Sequence, residues 1–264
     1  MLEIKNVHKT FNAGTVNEKH ALKGINLTLA DGDFVTVIGG NGAGKSTLLN
    51  AIAGTYRVDE GSILLDGVDV TNIPEYKRAK FLGRVFQDPM MGTAAGMQID
   101  ENLAIAALRG KKHTLRWGVR AENKAHYREL LKQLDLGLED RLTTKVGLLS
   151  GGQRQAVTLL MAAMNKPSLL LLDEHTAALD PKTAEKVLGI TDKIVNENKL
   201  TTLMITHNMK DAIRHGNRLI MLHEGRVIID VSGEEKKNLT VEDLLKMFTD
   251  ASGGEFSSDR AILS

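Results

Sequence analysis

A glycine-rich segment, GGNGAGKST at residues 39 to 47, follows the apolar run FVTVI at residues 34 to 38. Glycines let successive backbone amides point at an anion without interference from a Cβ atom, and a helix that begins there adds the positive end of its dipole. The spacing G-x-x-x-x-G-K-[ST] between a strand and a helix is that of a P-loop, which binds nucleotide phosphates. A glycine-rich turn that only caps a helix is the alternative, but the complete pattern in this setting is rare by chance. We therefore predict a triphosphate site here.

The residues of this loop have distinct expected roles. Lys45 supplies a positive charge to the terminal phosphates, the Ser46 hydroxyl is spaced to ligate Mg²⁺, and Thr47 can donate to a phosphate. Lys45 is also expected to stabilise the charge that develops during phosphoryl transfer. The residues predicted to bind the nucleotide in this loop are Gly39, Asn41, Gly42, Gly44, Lys45, Ser46 and Thr47.

Acidic and imidazole side chains follow two other apolar runs. LLLL at residues 169 to 172 leads into Asp173 and Glu174, and the run TTLMIT leads into His207. Ligands of open parallel sheets collect at the carboxyl ends of the strands. Asp173 is therefore expected in the Mg²⁺ shell, Glu174 is expected to orient or deprotonate the attacking water, and His207 is expected to bond the terminal phosphate and that water. An Asp-Glu pair after a strand is otherwise often a plain turn, and a lone histidine is usually structural or solvated.

The segment LSGGQ, residues 149 to 153, has the features of a second anion-binding helix start. Ser150 is a good N-cap, and Gly151 and Gly152 allow close backbone approach before a helix that carries Ala156, Leu159, Leu160 and Ala163. Ser followed by two glycines also makes an ordinary turn. Because the same chain already has a phosphate loop, we hypothesise that this helix start completes the site of a second copy.

The composition restricts the classes of partner. The 264 residues include 34 basic and 33 acidic side chains, so the formal net charge of +1 gives no long-range field for nucleic acid or anionic membrane. The chain has no cysteine, which excludes disulfides and thiol catalysis. It opens without a secretory signal, and no stretch approaches the roughly 18 consecutive apolar residues of a spanning helix. We expect a soluble protein that reaches a membrane only through a partner.

The order of apolar runs predicts an α/β fold. Branched and apolar runs near residues 34, 169, 201 and 218 are typical of buried parallel strands, and helix-length patterns at 47–56 and 182–196 alternate with them. Shorter strands are expected at LEIKNV, around residues 25–29 and at SILLDG. From residue 90 to 149 strand patterns vanish, which predicts an inserted helical subdomain. One of its helices is expected to carry Tyr127, Leu130, Leu131 and Leu134 and to stop at Gly137.

Two further segments are distinct. The basic stretch RGKKHTLRWGVR, residues 109 to 120, is expected to be a solvated loop, with contact to phosphate or a partner as the alternative. Residues 241–248 predict an amphipathic helix, and the Gly/Ser-rich tail from Ala251 is expected to be mobile. The whole chain is predicted to be one domain, with an ATP-binding core at 1–89 and 155–230, a helical subdomain at 90–154 and a C-terminal helix and tail at 231–264.

The motifs GGNGAGKS, LSGGQ, LLLLDE and ITH together resemble those of the ATP-binding subunits of ABC transporters, over roughly residues 1 to 230. The resemblance implies a P-loop NTPase (RecA-like) core with an N-terminal antiparallel β subdomain. It implies ATP and Mg²⁺ as ligands, and a homodimer in which two ATP molecules lie between the P-loop of one copy and the LSGGQ segment of the other.

Further roles follow from the resemblance at matching positions. Gln87 in VFQD resembles the glutamine that touches Mg²⁺ and senses a transmembrane partner, and Phe11 stands where the family stacks an aromatic ring on adenine. Asp180 in AALD resembles the aspartate that couples the two sites, and Gly152 and Gln153 join Ser150 and Gly151 in the nucleotide contact. Glu174 resembles the general base and His207 the switch histidine.

The chain departs from the family pattern at His175, where proline is common, and we expect this histidine to be structural.

The segments DEHTAALDP and RQAVTLLMA together resemble those of the ATPases of tryptophan or tyrosine importers, which are fed by a substrate-binding lipoprotein. A separate transmembrane permease and the cytoplasmic face of the membrane are implied. Met90, Met91 and Met97 could form a seat for the permease or belong to the core. A soluble ABC-type ATPase in translation or DNA repair is the alternative, and a non-catalytic subunit is disfavoured by Lys45, Asp173, Glu174 and His207.

Overall fold

A computed structural model describes residues 1–111 and 121–251, which divide into two compact units. The first unit comprises the described residues of Met1–Arg78 and Thr201–Ser264, and the second comprises those of Ala79–Leu200. Most of the basic stretch at 109–120 and the tail after Ala251, which was expected to be mobile, lie outside the described residues. The subdomain boundaries expected at residues 90 and 154 stay a prediction.

The described chain alternates strands and helices. The strands are β1 (Leu2–Phe11), β2 (Lys19–Leu29), β3 (Phe34–Ile38), β4 (Glu60–Leu65), β5 (Val68–Asp69), β6 (Leu82–Val85), β7 (Leu169–Asp173), β8 (Thr202–Ile205), β9 (Arg218–His223) and β10 (Arg226–Ser232). The helices are α1 (Lys45–Ala53), α2 (Glu75–Arg78), α3 (Ile99–Ala107), α4 (Ala121–Lys132), α5 (Gly151–Ala163), α6 (Pro181–Asn198), α7 (Met209–Arg214), α8 (Gly233–Lys237) and α9 (Val241–Ala251). Short 3-10 turns lie at Pro89–Gly92 and Val146–Leu148.

The first unit contains an antiparallel sheet and a mainly parallel one. The antiparallel sheet has the order β2-β1-β4-β5. In the other, β3 lies between β8 and β9 and runs parallel to both, and β10 closes a hairpin with β9. All five residues of β3 are buried, as expected for a parallel strand covered on both faces. The predicted α/β class with an N-terminal antiparallel part is confirmed.

The C-terminal helix packs onto this parallel sheet. Leu244 and Phe248 of α9 are fully buried and share one apolar cluster with Ile38 and Met221. Ile38 is the last residue of β3, so α9 covers the strand that leads into the glycine-rich loop. The helix expected at residues 241–248 is therefore present and has a packed apolar face.

The second unit pairs two parallel strands and is otherwise helical. β6 and β7 align Leu82 with Leu169 and Val85 with Leu172. Within residues 86–111 and 121–168 the structure has no strand, as the loss of strand patterns predicted. The predicted end of α4 is wrong: the helix stops at Lys132, because Asp135 already adopts a left-handed backbone with φ 51° and reverses the chain before Gly137. Leu134 is still buried, but beyond the helix.

Candidate nucleotide site

The glycine-rich loop joins β3 to α1, and two of its glycines lie too close to neighbouring backbone for any side chain. A Cβ atom on Gly39, whose φ is 150°, would lie 2.2 Å from the carbonyl oxygen of Leu222. A Cβ atom on Gly44, whose φ is 104°, would lie 2.7 Å from the carbonyl oxygen of Ala21. The close turn between strand and helix therefore requires glycine at both positions.

Lys45 lies over this loop. Its side chain is buried, and Nζ donates hydrogen bonds of 2.7 Å to the carbonyl oxygen of Gly39 and 3.2 Å to that of Gly40. No acidic residue stands in the first turn of α1, and no side chain caps its start at Gly44. The helix start thus carries a buried ammonium group and the positive end of the helix dipole, which together favour an anion. Ser46 in this first turn is exposed.

Backbone hydrogen bonds also hold the glycine-rich loop in place. The amide of Gly225, in the turn between β9 and β10, donates to the carbonyl oxygen of Ala43 at 3.0 Å. The amide of Lys23 in β2 donates to the carbonyl oxygen of Gly225 at 2.9 Å. The loop is therefore tied to both sheets of the first unit, which preorganises its conformation.

Phe11 ends β1 with a partly exposed ring. The ring meets that of Tyr56 edge to face, with centroids 5.2 Å apart and planes at 80°, and Lys9 Nζ lies 5.5 Å from its centroid. Contacts of this kind fix the ring orientation. The open part of the ring is an apolar surface of the type on which a base can stack.

Lys19 is a residue that sequence reasoning missed. It pairs directly with Phe11 across the β1–β2 ladder, so the two side chains project from the same face of the sheet. A Cβ atom on Gly42 would lie 3.4 Å from Lys19 Nζ. A second ammonium group therefore lies against the glycine-rich loop. The strand register that places Lys19 there is not visible in the sequence, and no motif marks this lysine.

His207 follows β8, as predicted, lies one residue before the N-cap of α7 and is exposed. Asn208 caps that helix, because its Oδ1 accepts hydrogen bonds from the amides of Lys210 and Asp211 at 2.9 and 3.2 Å. The cap fixes the backbone next to the histidine.

In the second unit, Ser150 caps α5 as expected. Its Oγ accepts a 3.3 Å hydrogen bond from the amide of Gln153, and Gln153 Oε1 accepts one of 3.2 Å from the amide of Ser150. This reciprocal capping box gives Gln153 a structural role that the sequence analysis did not assign. Gly151 is exposed at this helix start, which the hypothesis of a second anion site requires.

The start of α5 packs against the start of α6. A Cβ atom on Gly152 would lie 2.2 Å from Thr183 Cγ2, so the two helix starts touch through this glycine. Asp180 caps α6, with Oδ1 accepting from the amide of Thr183 at 3.1 Å. Hydrogen bonds from the Thr183 side chain and amide lower the pKa of the exposed Asp180 carboxyl. The structure therefore brings the predicted residues Ser150–Gln153 and Asp180 into one region.

Asp173 ends β7 and Glu174 follows it, as predicted. Oδ2 of Asp173 lies 3.8 Å from Nη2 of Arg84 in β6, and both side chains are mostly buried. Glu174 adopts a left-handed backbone with φ 44°, which is uncommon for a residue with a Cβ atom. Gln87 follows β6 and is exposed.

The predicted site residues divide between the two units. The first unit contains Phe11, the glycine-rich loop and His207, and the second unit contains the remaining predicted residues. That the two sets act on one nucleotide stays a prediction.

The sequence was compared with a family profile and with the sequences of known proteins. The family profile described as ABC transporter matches residues 22–177. The tyrosine transport ATP-binding protein of Clostridioides difficile is 48% identical over 94% of this chain and 98% of its own length. A spermidine/putrescine import ATP-binding protein of Haemophilus influenzae is 34% identical over 89% of this chain, which spans 59% of that relative. The methionine import ATP-binding protein of Corynebacterium efficiens is 35% identical over 86% of this chain and 61% of its own length.

Solved structures share the fold. A dimeric ATP-binding cassette in a post-hydrolysis state with ADP and phosphate aligns with a TM-score of 0.73 and 31% identity, over 88% of this chain and 98% of the cassette. An ATP-binding cassette of an ABC transporter in its ADP conformation aligns with a TM-score of 0.76 and 27% identity, over 94% of this chain and 98% of that one. Across residues 1–111 and 121–251, no helix is long and apolar enough to cross a bilayer.

Proposed function

The chain belongs to the ABC transporter family and is an ATPase of that family, and we propose that it powers solute import as the nucleotide-binding subunit beside a separate transmembrane permease. The observation that carries the proposal is the glycine-rich loop, where buried Lys45 and the start of α1 form a cationic cradle between two glycines that admit no side chain. Such a cradle suits the phosphates of ATP.

Hydrolysis proceeds by in-line attack of water on the γ-phosphate. The loop amides and Thr47 bind the phosphates, and Lys45 offsets the negative charge that grows on them. Glu174 orients and deprotonates the water, and His207 bonds the γ-phosphate. Phe11 stacks on the adenine. The exposure of His207 and the fixed ring of Phe11 support these roles.

The residues assigned to Mg²⁺ suit that ion. Ser46, Gln87 and Asp173 offer a hydroxyl, an amide oxygen and a carboxylate, which are the hard oxygen ligands that Mg²⁺ prefers. When bound, Mg²⁺ neutralises charge on the phosphates and orients them. Gln87 is exposed, which suits a residue that also faces a partner.

The active unit is a homodimer in which each copy completes the nucleotide site of the other. Ser150, Gly151, Gly152 and Gln153 supply the start of α5 to the γ-phosphate bound by the second copy, and Asp180 links the two sites. The contact of these segments through Gly152 and Thr183 supports joint action, and the solved dimeric cassette supports the assembly. ATP favours the closed pair only by its higher affinity for that state, and hydrolysis removes the preference.

The transport system is an amino-acid importer, with tyrosine as the first candidate solute because the relative from Clostridioides difficile is named for tyrosine transport. A substrate-binding lipoprotein delivers the solute, and this subunit works at the cytoplasmic face of the membrane. Of the three methionines considered for this contact, Met97 is partly buried, and Met90 and Met91 form a seat for the permease. Their exposed fractions, 43% and 70%, support a contact surface over a place in the core.

The test is purification of the tagged chain from detergent-solubilised membranes, with identification of the proteins that accompany it. We expect a polytopic permease, and an ATPase activity that Lys45→Ala abolishes while the complex stays intact. Recovery of ribosomes or DNA in place of a permease would overturn the transporter assignment. ATP hydrolysis that survives Lys45→Ala would overturn the assignment of the loop.

A further inference from the structure

The residue after Glu174 is a buried histidine. His175 is 2% exposed, in the turn that leads from β7 towards α6. A polar group in such a place must be hydrogen-bonded to be tolerated. Its Nε2 atom lies 3.0 Å from Oγ1 of Thr191, which is itself buried on α6. The expectation that His175 is structural therefore has a specific contact behind it.

The direction of this hydrogen bond follows from the next one. Thr191 Oγ1 donates to the carbonyl oxygen of Val187 at 2.9 Å, one turn earlier in α6. A threonine hydroxyl has a single hydrogen, so toward His175 it can only accept. With that hydrogen on the Val187 carbonyl, the hydrogen bond between His175 and Thr191 requires the tautomer of His175 that carries a proton on Nε2. Two successive hydrogen bonds, from His175 to the Thr191 hydroxyl and from that hydroxyl to the Val187 carbonyl oxygen, tie the turn after β7 to α6.

The residue that this bond secures has an unusual backbone. Glu174, at φ 44°, lies in the left-handed region, which costs a residue with a side chain about 1 to 2 kcal/mol. A conformation of this kind persists only where the surroundings impose it. The amide of Ala177 donates to the carbonyl oxygen of Glu174 at 3.0 Å, and buried His175 fixes the next position.

We propose that His175 is a positioning residue for ATP hydrolysis: its hydrogen bond to Thr191 holds Glu174 in the left-handed conformation that aims the carboxylate at the attacking water. The inference rests on the proposed role of Glu174 as the base. His175 itself touches neither nucleotide nor water in this role. It fixes the backbone from which the carboxylate projects, and displacement of a catalytic group by about 1 Å can cost on the order of 100-fold in rate.

The variants are chosen to separate hydrogen bonding from packing. Thr191→Val keeps the side-chain shape and removes the acceptor, and Thr191→Ser restores a hydroxyl. His175→Phe keeps a ring and removes the donor, and His175→Gln offers an amide donor near the position of Nε2. We expect Thr191→Val and His175→Phe to lower kcat about 10- to 100-fold with the Kd for ATP within about twofold of the parent. Thr191→Ser and His175→Gln should recover most of the rate.

A double variant distinguishes positioning from general loss of structure. In a Glu174→Gln background, Thr191→Val should not lower the residual turnover further, because the carboxylate that it misplaces is already absent. Unchanged kcat in folded Thr191→Val, or an equal further loss in the double variant, would overturn the positioning role. Full turnover of Glu174→Gln itself would instead overturn the proposed base. If His175→Phe does not fold, the threonine pair alone decides the matter.

Discussion

Nη1 of Arg78 donates a 2.8 Å hydrogen bond to the carbonyl oxygen of Ala51, in the last turn of α1. The same guanidinium reaches the carbonyl oxygens of Ile52 at 2.8 Å, Ile73 at 2.7 Å and Thr71 at 3.0 Å. Arg78 is 2% exposed, and burial lowers the pKa of its guanidinium, which nevertheless stays protonated. The buried guanidinium of Arg78 thus caps the C-terminal end of α1, the helix that begins at Lys45.

Replacement of this arginine should destabilise the fold. Arg78→Met removes the side-chain donor from four carbonyl oxygens, of which that of Ala51 keeps a 3.2 Å hydrogen bond from the Gly54 amide, and we expect a loss of more than about 2 kcal/mol in the free energy of unfolding. Arg57→Met is the matched control, because Arg57 is exposed and, among the described residues, its side chain bonds the Asn72 side chain at 3.0 Å. Its expected effect is within about 0.5 kcal/mol. Urea unfolding of the two variants measures the difference, and equal midpoints would contradict the role given to Arg78.

Lys236 and Lys237 offer a second matched pair. Lys236 is 2% exposed, and its Nζ donates to the carbonyl oxygens of His215 and Gly216, at the end of α7. Lys237 is exposed, and within the part of the chain that the structure describes it pairs with Glu234. Lys236→Met should cost about 1 to 3 kcal/mol of unfolding free energy, and Lys237→Met less than about 1 kcal/mol. Thermal unfolding of both variants is the measurement. A larger effect at Lys237 would show that the buried contact does not stabilise the fold.

Lys19 should contribute to nucleotide affinity, because its ammonium group lies against Gly42 of the glycine-rich loop. Lys19→Met is expected to raise the Kd for ATP roughly 3- to 10-fold at low salt, with a smaller effect as salt screens the charge. Lys23→Met is the control from the same strand, since Lys23 faces Glu224 at 3.8 Å. Calorimetric titration with ATP, ADP and AMP tests this. Unaltered ATP binding in Lys19→Met, or an equal loss for AMP, would exclude a phosphate contact.

The parts of the site that the sequence predicted are those encoded by short local patterns. The strand before Gly39, the helix that begins at Lys45 and the cap formed by Ser150 each depend on residues within a few positions of one another. Hydrophobic periodicity and capping chemistry are local properties, so they can be identified in the sequence without knowledge of the fold.

The contacts that were missed join residues distant in sequence. Arg78 meets Ala51 across 27 positions, and the contact of Lys19 with Gly42 depends on how β2 is placed against the loop. The bond from His175 to Thr191 depends on how α6 packs after its cap. The predicted end of α4 at Gly137 was wrong for a local reason. Asp135 already adopts the left-handed conformation that Gly137 was expected to supply.

Our central claim is that two copies of the chain form a dimer with ATP bound between them, and that Glu174 then acts as the base in its hydrolysis. The most direct measurement is the molar mass of the Glu174→Gln variant by light scattering at saturating ATP, with turnover measured on the same sample. We predict a stable dimer with ATP, a monomer with ADP, and turnover at least about 100-fold below the parent. A variant that stays monomeric at saturating ATP, or one that hydrolyses ATP at the parental rate, would contradict the claim.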